Sequence, residues 1–141
     1  MTTREQVITQ AREWIGTPFQ HQARVKGVAC DCLGLVIGVC RELGCVSPDF
    51  DVNAYNRQPD GSRMLVTCDQ YMPRVKEMQP GDMVVVSMDK DPQHVGIIAE
   101  YRPGVFSIIH ALQKHGAVVE TRLMFSRAMR FVAAYSLPGV Q

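Results

Sequence analysis

The C-terminal half of the sequence holds five short apolar runs, and their spacing constrains the fold more than any other feature. The runs are rich in valine, isoleucine and other β-prone residues, as is typical of buried strands. They span residues 83–88, 93–99, 105–110, 117–121 and 131–137. Proline or glycine marks each of the first three connections between them, which indicates tight turns. The pattern predicts a meander of about five antiparallel strands.

Helical periodicity is confined to the first half of the chain. Thr3 to Ile15 has the pattern of an amphipathic helix that begins with a capping box. A second helix is predicted from its N-cap, Asp31, to Leu43, and Gly44 follows as the C-terminal cap. Residues 62–71 are weakly helical. Because helices precede strands instead of alternating with them, the sequence predicts an α+β fold with helices packed on an antiparallel sheet.

Cys32 falls in the first turn of the second predicted helix. A thiol at this position meets free backbone N–H groups and the positive end of the helix dipole, and both favour the thiolate. The same N–H groups can receive the oxyanion that forms when a thiolate attacks a carbonyl carbon. The sequence therefore predicts that Cys32 is a nucleophile.

Two histidines occur where a base for this thiol would be needed. His94 opens one predicted strand and His110 closes the next, so adjacent antiparallel strands would bring the two rings together. We expect His94 to pair with the thiol as the base and His110 to orient His94. His21, in a polar loop, is a rival base, and His115, in a turn, is a rival orienting group. Neither is on a rigid element, so both are the weaker alternatives.

Composition excludes several classes of protein. The sequence has 141 residues, of which 46% are hydrophobic. Residues 1–141 are therefore expected to form one domain with a substantial hydrophobic core. The net charge is +1 and no basic run occurs, so no nucleic-acid partner is expected. No apolar run approaches the ~18 residues of a membrane-spanning helix. The polar N-terminus does not resemble a secretory signal, so we expect synthesis in the cytoplasm.

The five cysteines offer an alternative to nucleophilic chemistry. An odd count without a secretory signal favours reduced thiols over disulfides. A zinc site would use Cys30, Cys32, Cys40 and Cys45, but the Cys-x-Cys spacing differs from the usual Cys-x2-Cys knuckle. We therefore predict no metal and interpret Cys40, Cys45 and Cys68 as small buried hydrophobic residues.

Several short motifs occur in a fixed order along nearly the whole chain. They are Trp14–Phe19, His21–Gln22, Lys26–Val28, Cys30–Leu35, Ser47–Asp49, Pro80–Asp82, His94–Ile97, Ile108–Ala111 and His115–Glu120. With these motifs the sequence resembles the NlpC/P60 cysteine peptidases. The resemblance is strongest to a phage-encoded branch that is associated with tail tips and gene transfer particles.

The resemblance implies a papain-like fold and hydrolysis of an amide bond in the peptide stems of peptidoglycan, without a metal or cofactor. The usual target is the bond between the γ-carboxyl of D-glutamate and a diamino acid. Cys32 would be the nucleophile, His94 the base and His110 the third polar residue. The residues expected to contact substrate are Phe19, His21, Asp31, Leu33 and Gln93. Tail-tip proteins would be partners, and the enzyme would act on the cell wall from a virion or a related particle.

Two positions depart from the family pattern. Many members have a tyrosine where this chain has Phe19, and many have a serine where it has Leu33. These departures keep open a second hypothesis, in which the protein is a structural or assembly component of a phage tail. A third hypothesis uses the same three residues in an acyltransferase or amidase acting on another amide. Product analysis separates hydrolysis from transfer.

Overall fold

Helices come first along the chain and long strands follow. The computed structural model describes residues 2–52, 62–88 and 91–141. The helices are α1 (Arg4–Arg12), α2 (Cys32–Glu42) and α3 (Ser62–Tyr71). Two short strands, β1 (Arg24–Val25) and β2 (Ala29–Cys30), pair between α1 and α2. The long strands are β3 (Met83–Met88), β4 (Asp91–Arg102), β5 (Val105–Leu112), β6 (Ala117–Arg122) and β7 (Met129–Tyr135).

The long strands form one five-stranded sheet in the order β6-β5-β4-β3-β7. Every neighbouring pair is antiparallel, so the predicted α+β architecture is confirmed. The register places Val86 of β3 opposite His94 of β4, and His110 of β5 opposite Val119 of β6. The sheet therefore carries both histidines on its two adjacent central strands, β4 and β5.

The main hydrophobic core lies between the helices and one face of the sheet. Helix α2 is buried continuously from Leu33 to Cys40 because helix α1, the sheet and the C-terminal segment surround it. Trp14 packs closely on α2, since a Cβ built on Gly38 would lie 2.2 Å from its ring. A smaller cluster of Val84, Val86, Ile98 and Ile108 forms at alternating strand positions. These layers make α2 the central element of the fold.

The N-terminal segment differs from its sequence-based prediction. Helix α1 ends at Arg12 instead of Ile15, because residues 13–16 turn the chain towards the sheet. Gly16 has φ +94, and its N–H donates to the carbonyl of Val118 in β6. The loop predicted over residues 20–27 also contains β1. Tertiary pairing therefore overrides the local helical pattern at this position.

Other predictions fall partly outside the described residues. Strand β4 begins at Asp91, inside the predicted Asp89–Pro92 turn, while Asp89 and Lys90 lie outside the description. Residues 53–60 of the predicted Cys45–Asp60 loop also lie outside it. In the described ranges no helix is both long and apolar enough to cross a membrane.

Candidate active site

The first turn of α2 is shaped by a buried carboxylate. Asp31 is the N-cap, with extended backbone angles, and its Oδ1 accepts from the N–H of Gly34 at 2.7 Å. Cys32 is the first helical residue; its side chain is half-buried and packs against the main core. Helical geometry leaves the N–H groups of this first turn without carbonyl partners inside the helix. A partly accessible thiol therefore lies at the positive end of α2.

Further polar groups surround the Asp31 carboxylate. Its Oδ1 also accepts from Arg24 Nη1 at 3.0 Å, and its Oδ2 accepts from the N–H of Gln22 at 2.6 Å. The ring Nδ1 of His21 lies 3.8 Å from the same Oδ2. The carboxylate of Asp31, which the sequence predicted as a substrate contact, is thus engaged inside the protein. Its side chain is 3% exposed.

His94 and His110 are in direct contact. His94 Nε2 lies 2.8 Å from His110 Nδ1, and both side chains are buried. The β4–β5 register pairs Ile97 with Ile109, and continuing it by one residue places Gly96 opposite His110. His94 is two residues from Gly96, so both histidines project from the same face of the sheet. Their contact follows from this diagonal placement.

Thr121 extends the histidine pair by one more hydrogen bond. His110 Nε2 lies 2.9 Å from Thr121 Oγ1. If His110 donates from Nε2 to this hydroxyl, its Nδ1 is the acceptor for a proton on His94 Nε2. That arrangement leaves His94 Nδ1 as the basic nitrogen. Sequence reasoning missed Thr121, and only the β5–β6 register, with Val119 opposite His110, puts it on the right face.

Burial keeps both histidines neutral. Desolvation lowers the pKa of His94 from its ordinary value of 6.5 to about 4. Desolvation, with smaller contributions from His94 and His115, lowers the pKa of His110 to about 3. Loss of hydration in such a site costs far more free energy for a charged imidazolium than for a neutral ring. Both rings are therefore in the form that can accept a proton at neutral pH.

Helix α2 packs against β4 and β5, the strands that carry the histidines. Those two strands also pack closely on each other at Gly96, where an added Cβ would lie only 2.5 Å from Ile108 Cγ1. The structure thus joins the helix that begins with Cys32 to the strands of His94 and His110. The catalytic roles of these three residues stay predictions.

The remaining predicted substrate contacts have different environments. Phe19 is half-buried, and its N–H donates to the carbonyl of Gly116 in the β5–β6 turn. Leu33 is buried and lines an apolar cavity of about 220 Å³ between α2, α3 and the C-terminal segment. Gln93 is half-buried next to His94, and its Oε1 is buried with no hydrogen-bond partner among the described residues. His115, the alternative to His110, is exposed.

All five cysteines lie within the described ranges, and all five are reduced thiols. Burial raises the pKa of Cys30, Cys40 and Cys68 to about 12 in each case. These three thiols are therefore protonated at neutral pH, and a protonated thiol is a poor nucleophile. Across the described ranges no three His, Cys, Asp or Glu side chains gather into a group that could hold a metal ion.

Comparison with known proteins places this geometry in a family. The model of the NlpC/P60 family matches residues 16–130. Among curated proteins, no relative matches the sequence. The matched range includes the start of α2 and both histidines, together with Thr121.

Solved structures resemble the chain at low sequence identity. NlpC1 from Trichomonas vaginalis is 15% identical over 95% of this chain, with a TM-score of 0.68. NlpC2 from the same organism is 14% identical over 95% of the chain, with a TM-score of 0.69. This chain covers 44% and 46% of those two proteins. The NlpC/p60 domain of the peptidoglycan hydrolase SagA is 19% identical over 94% of this chain and 97% of its own, with a TM-score of 0.60. At these low sequence identities, the likenesses show a shared fold.

Proposed function

Because the chain belongs to the NlpC/P60 family, we propose that it is a cysteine peptidase that hydrolyses an amide bond in the peptide stems of peptidoglycan. The observation that carries the proposal is the packing of α2, which begins with Cys32, on the strands of the hydrogen-bonded His94 and His110. The bond proposed is the one between γ-D-glutamate and a diamino acid. The solved domain of the peptidoglycan hydrolase SagA, which has the same fold, supports this substrate class.

In the proposed mechanism His94 accepts the thiol proton of Cys32 through Nδ1. The thiolate attacks the carbonyl carbon of the stem peptide, and N–H groups at the start of α2 receive the oxyanion. His94 then protonates the leaving amine as the carbon–nitrogen bond breaks and a thioester remains. A water molecule, deprotonated by His94, attacks the thioester, and Cys32 leaves as the thiol after reprotonation.

His110 and Thr121 fix the tautomer that this mechanism needs. His94 must keep its proton on Nε2 so that Nδ1 stays basic, and the 2.8 Å contact with His110 Nδ1 favours that arrangement. We propose that His110 Nε2 donates to Thr121 Oγ1, 2.9 Å away, so that His110 Nδ1 is left unprotonated and can accept from His94. The low pKa of the buried His94 ring favours transfer of the thiol proton during attack over a resting imidazolium.

Gln93 has the property expected of a substrate contact. Its Oε1 is buried beside His94 without a partner among the described residues. Such a buried acceptor is costly unless something donates to it. We propose that the Gln93 side chain rotates when substrate binds, so that this oxygen becomes accessible and accepts from an N–H of the stem peptide. Phe19 and His21 border the loop that leads to Cys32 and would line the same cleft.

The proposed biological setting rests on the phage-like motifs. We propose that residues 1–141 form one catalytic domain of a tail-associated wall hydrolase that contacts tail-tip proteins. It would be made in the bacterial cytoplasm and would reach the wall as part of a particle. We expect mass spectrometry to detect the protein in purified particles and not in particle-free lysate fractions.

Digestion of purified diamino-acid-type peptidoglycan tests the reaction. Wild type, Cys32→Ala and Cys40→Ala are compared on the polymer and on soluble stem peptides, with products identified by mass spectrometry. Cys40 is the matched control because its thiol is buried in the core. We expect cleavage by wild type and Cys40→Ala and none by Cys32→Ala. Full cleavage by Cys32→Ala contradicts the mechanism, and a new conjugate instead of free fragments indicates transfer.

A further inference from the structure

A buried ion pair lies directly before the proposed nucleophile. The side chains of Arg24 and Asp31 are 7% and 3% exposed, and Nη1 lies 3.0 Å from Oδ1. Charges this far from water are tolerated only when they are paired and hydrogen-bonded. The Asp31 carboxylate meets that condition through Arg24 and the N–H groups of Gly34 and Gln22. Removal of the cation would leave a buried negative charge next to Cys32.

Arg24 also joins the start of α2 to a second segment. Its Nε donates to Asp51 Oδ1 at 2.8 Å, and its Nη2 donates to the carbonyl of Val52 at 3.1 Å. The guanidinium therefore uses three separate nitrogens, each with its own acceptor. A lysine has one ammonium group and cannot reproduce this planar fork. The contacts fix the position of the charge relative to Asp31.

The two charges act in opposite directions on a thiol in this turn. A negative charge beside a thiol disfavours the thiolate, and a positive charge favours it. The effect is visible at Cys30, whose pKa is about 12: burial and, to a smaller extent, Asp31 raise it, and Arg24 lowers it. Cys32 follows Asp31 directly in the chain, so it experiences the same opposed pair. The charged and titratable groups beside this ion pair are Asp51, His21 and Cys30. Helix α2 also packs on β4 and β5, the strands that carry His94 and His110.

Accepting the proposed role of Cys32 as the nucleophile, we propose that Arg24 is a positioning residue for it. Its guanidinium holds the Asp31 carboxylate in the N-cap position of α2 and cancels the negative charge of that carboxylate beside the thiol. Asp31 can thereby cap the helix without suppressing the thiolate at its first residue.

The rate of alkylation of Cys32 as a function of pH tests this role. Iodoacetamide modification is followed by peptide mapping, so that Cys32 is measured separately from the buried thiols. In Arg24→Gln the midpoint of the Cys32 profile is expected to rise by about one pH unit, which lowers the rate about tenfold at any pH well below the wild-type midpoint. In Asp31→Asn, which keeps an N-capping side chain, the midpoint is expected to fall. The double variant is expected to return close to wild type.

Arg41→Gln is the matched control. Arg41 also contacts this region, since its Nε donates to the carbonyl of Phe50 and its Nη2 lies 3.9 Å from Asp51 Oδ2. These contacts are with Phe50 and Asp51, so removal of Arg41 is expected to leave the Cys32 midpoint unchanged. A shift in Arg41→Gln equal to that in Arg24→Gln would overturn the specific role.

Comparison of Asp31→Asn with the double variant keeps the test valid if Arg24→Gln alone does not fold. Neither of those proteins has a carboxylate at position 31, and they differ only at Arg24. Equal midpoints in the two proteins would overturn the proposal, as would an unchanged midpoint in a folded Arg24→Gln. A purely structural role for Arg24 would lower the melting temperature without moving the midpoint.

The alkylation experiment needs no substrate, so it is independent of the proposed reaction. Absence of peptidoglycan cleavage together with the expected midpoint shifts would reject the proposed function and retain the role of Arg24. Cleavage that depends on Cys32, together with a midpoint insensitive to Arg24, would support the proposed function and overturn the role of Arg24.

Discussion

Cys32 and His94 are held by different kinds of structure. Cys32 is at the end of a helix, half-buried, beside the ion pair of Arg24 and Asp31. His94 is inside the sheet and contacts neutral groups, the ring of His110 and, beyond it, Thr121. The first arrangement depends on a balance of charges, whereas the second depends on strand register and on which ring nitrogen carries a proton.

This difference determines which kind of substitution should affect each half of the proposed site, the helix half around Cys32 and the sheet half around His94. Around Cys32 a change of charge should alter the ionisation of the thiol, while small changes of shape can be absorbed at a partly exposed helix end. Around His94 the groups are neutral and closely packed, so a change of shape or of hydrogen-bonding capacity should act directly on the geometry. Substitutions in the sheet test this contrast most severely.

The largest expected effect is that of His94→Gln. Glutamine keeps a polar side chain of similar length but cannot accept the thiol proton, so kcat/KM on a soluble stem peptide should fall roughly a hundredfold or more. The exposed His115 supplies the control, and His115→Gln should retain wild-type kcat/KM. Wild-type turnover by His94→Gln would show that another group is the base.

Local sequence patterns were sufficient for the elements that carry the site. The pattern from Asp31 to Leu43 corresponds to α2 at Cys32–Glu42, with Asp31 as the observed N-cap. The runs that contain His94 and His110 correspond to the adjacent strands β4 and β5. These features depend on neighbours in the sequence, on capping and on the alternation of apolar residues, so one sequence reveals them.

The contacts that complete the site were beyond that reasoning. Arg24 lies in a polar segment, and nothing in its neighbours indicates that it is buried against Asp31 and Asp51. Thr121 looks like an ordinary strand residue until the β5–β6 register is known. Both depend on pairings between distant segments, and a one-residue shift of a strand would turn Thr121 to the other face.

Two glycine substitutions compare the packing of the two halves. In Gly96→Ala the new Cβ would lie 2.5 Å from Ile108 Cγ1 and 2.9 Å from the carbonyl oxygen of Ile109. Overpacking of this kind costs about 1–3 kcal/mol, which urea unfolding measures. Since the strain falls between the two histidine strands, kcat should fall as well, even at temperatures where the protein is fully folded.

Gly38→Ala is the counterpart in the helix. Its Cβ would lie 2.2 Å from the Trp14 ring, on the side of α2 that packs against α1. We expect a similar loss of unfolding free energy, with kcat of the folded protein reduced less than in Gly96→Ala. Equal losses of kcat in the two variants would mean that the histidine strands are no more sensitive to shape than the helix.

Thr121→Val should have an intermediate effect. Valine has nearly the same shape but cannot accept from His110 Nε2, so the tautomer needed at His94 loses one hydrogen bond worth about 1 kcal/mol. We expect kcat to fall roughly fivefold to tenfold with KM unchanged. Thr121→Ser restores the hydroxyl and should restore kcat. A serine variant as slow as the valine variant would attribute the loss to packing.

The buried histidine rings also make the stability of the protein depend on pH. The pKa values of His94 and His110 in the folded protein, about 4 and about 3, lie below the ordinary value of 6.5. The unfolded chain therefore binds more protons between these values, so stability is complete above about pH 6.5 and declines as the pH falls towards 4. Carboxylates with lowered pKa values, such as Asp51, add their own loss only below their ordinary pKa. Melting temperatures should thus fall from pH 7.5 to 4.5 in wild type and in Asp31→Asn, and fall less in His94→Gln. An identical decline in His94→Gln would mean that protonation of the buried ring does not oppose folding, and that the sheet half of the site is as open to water as the helix half.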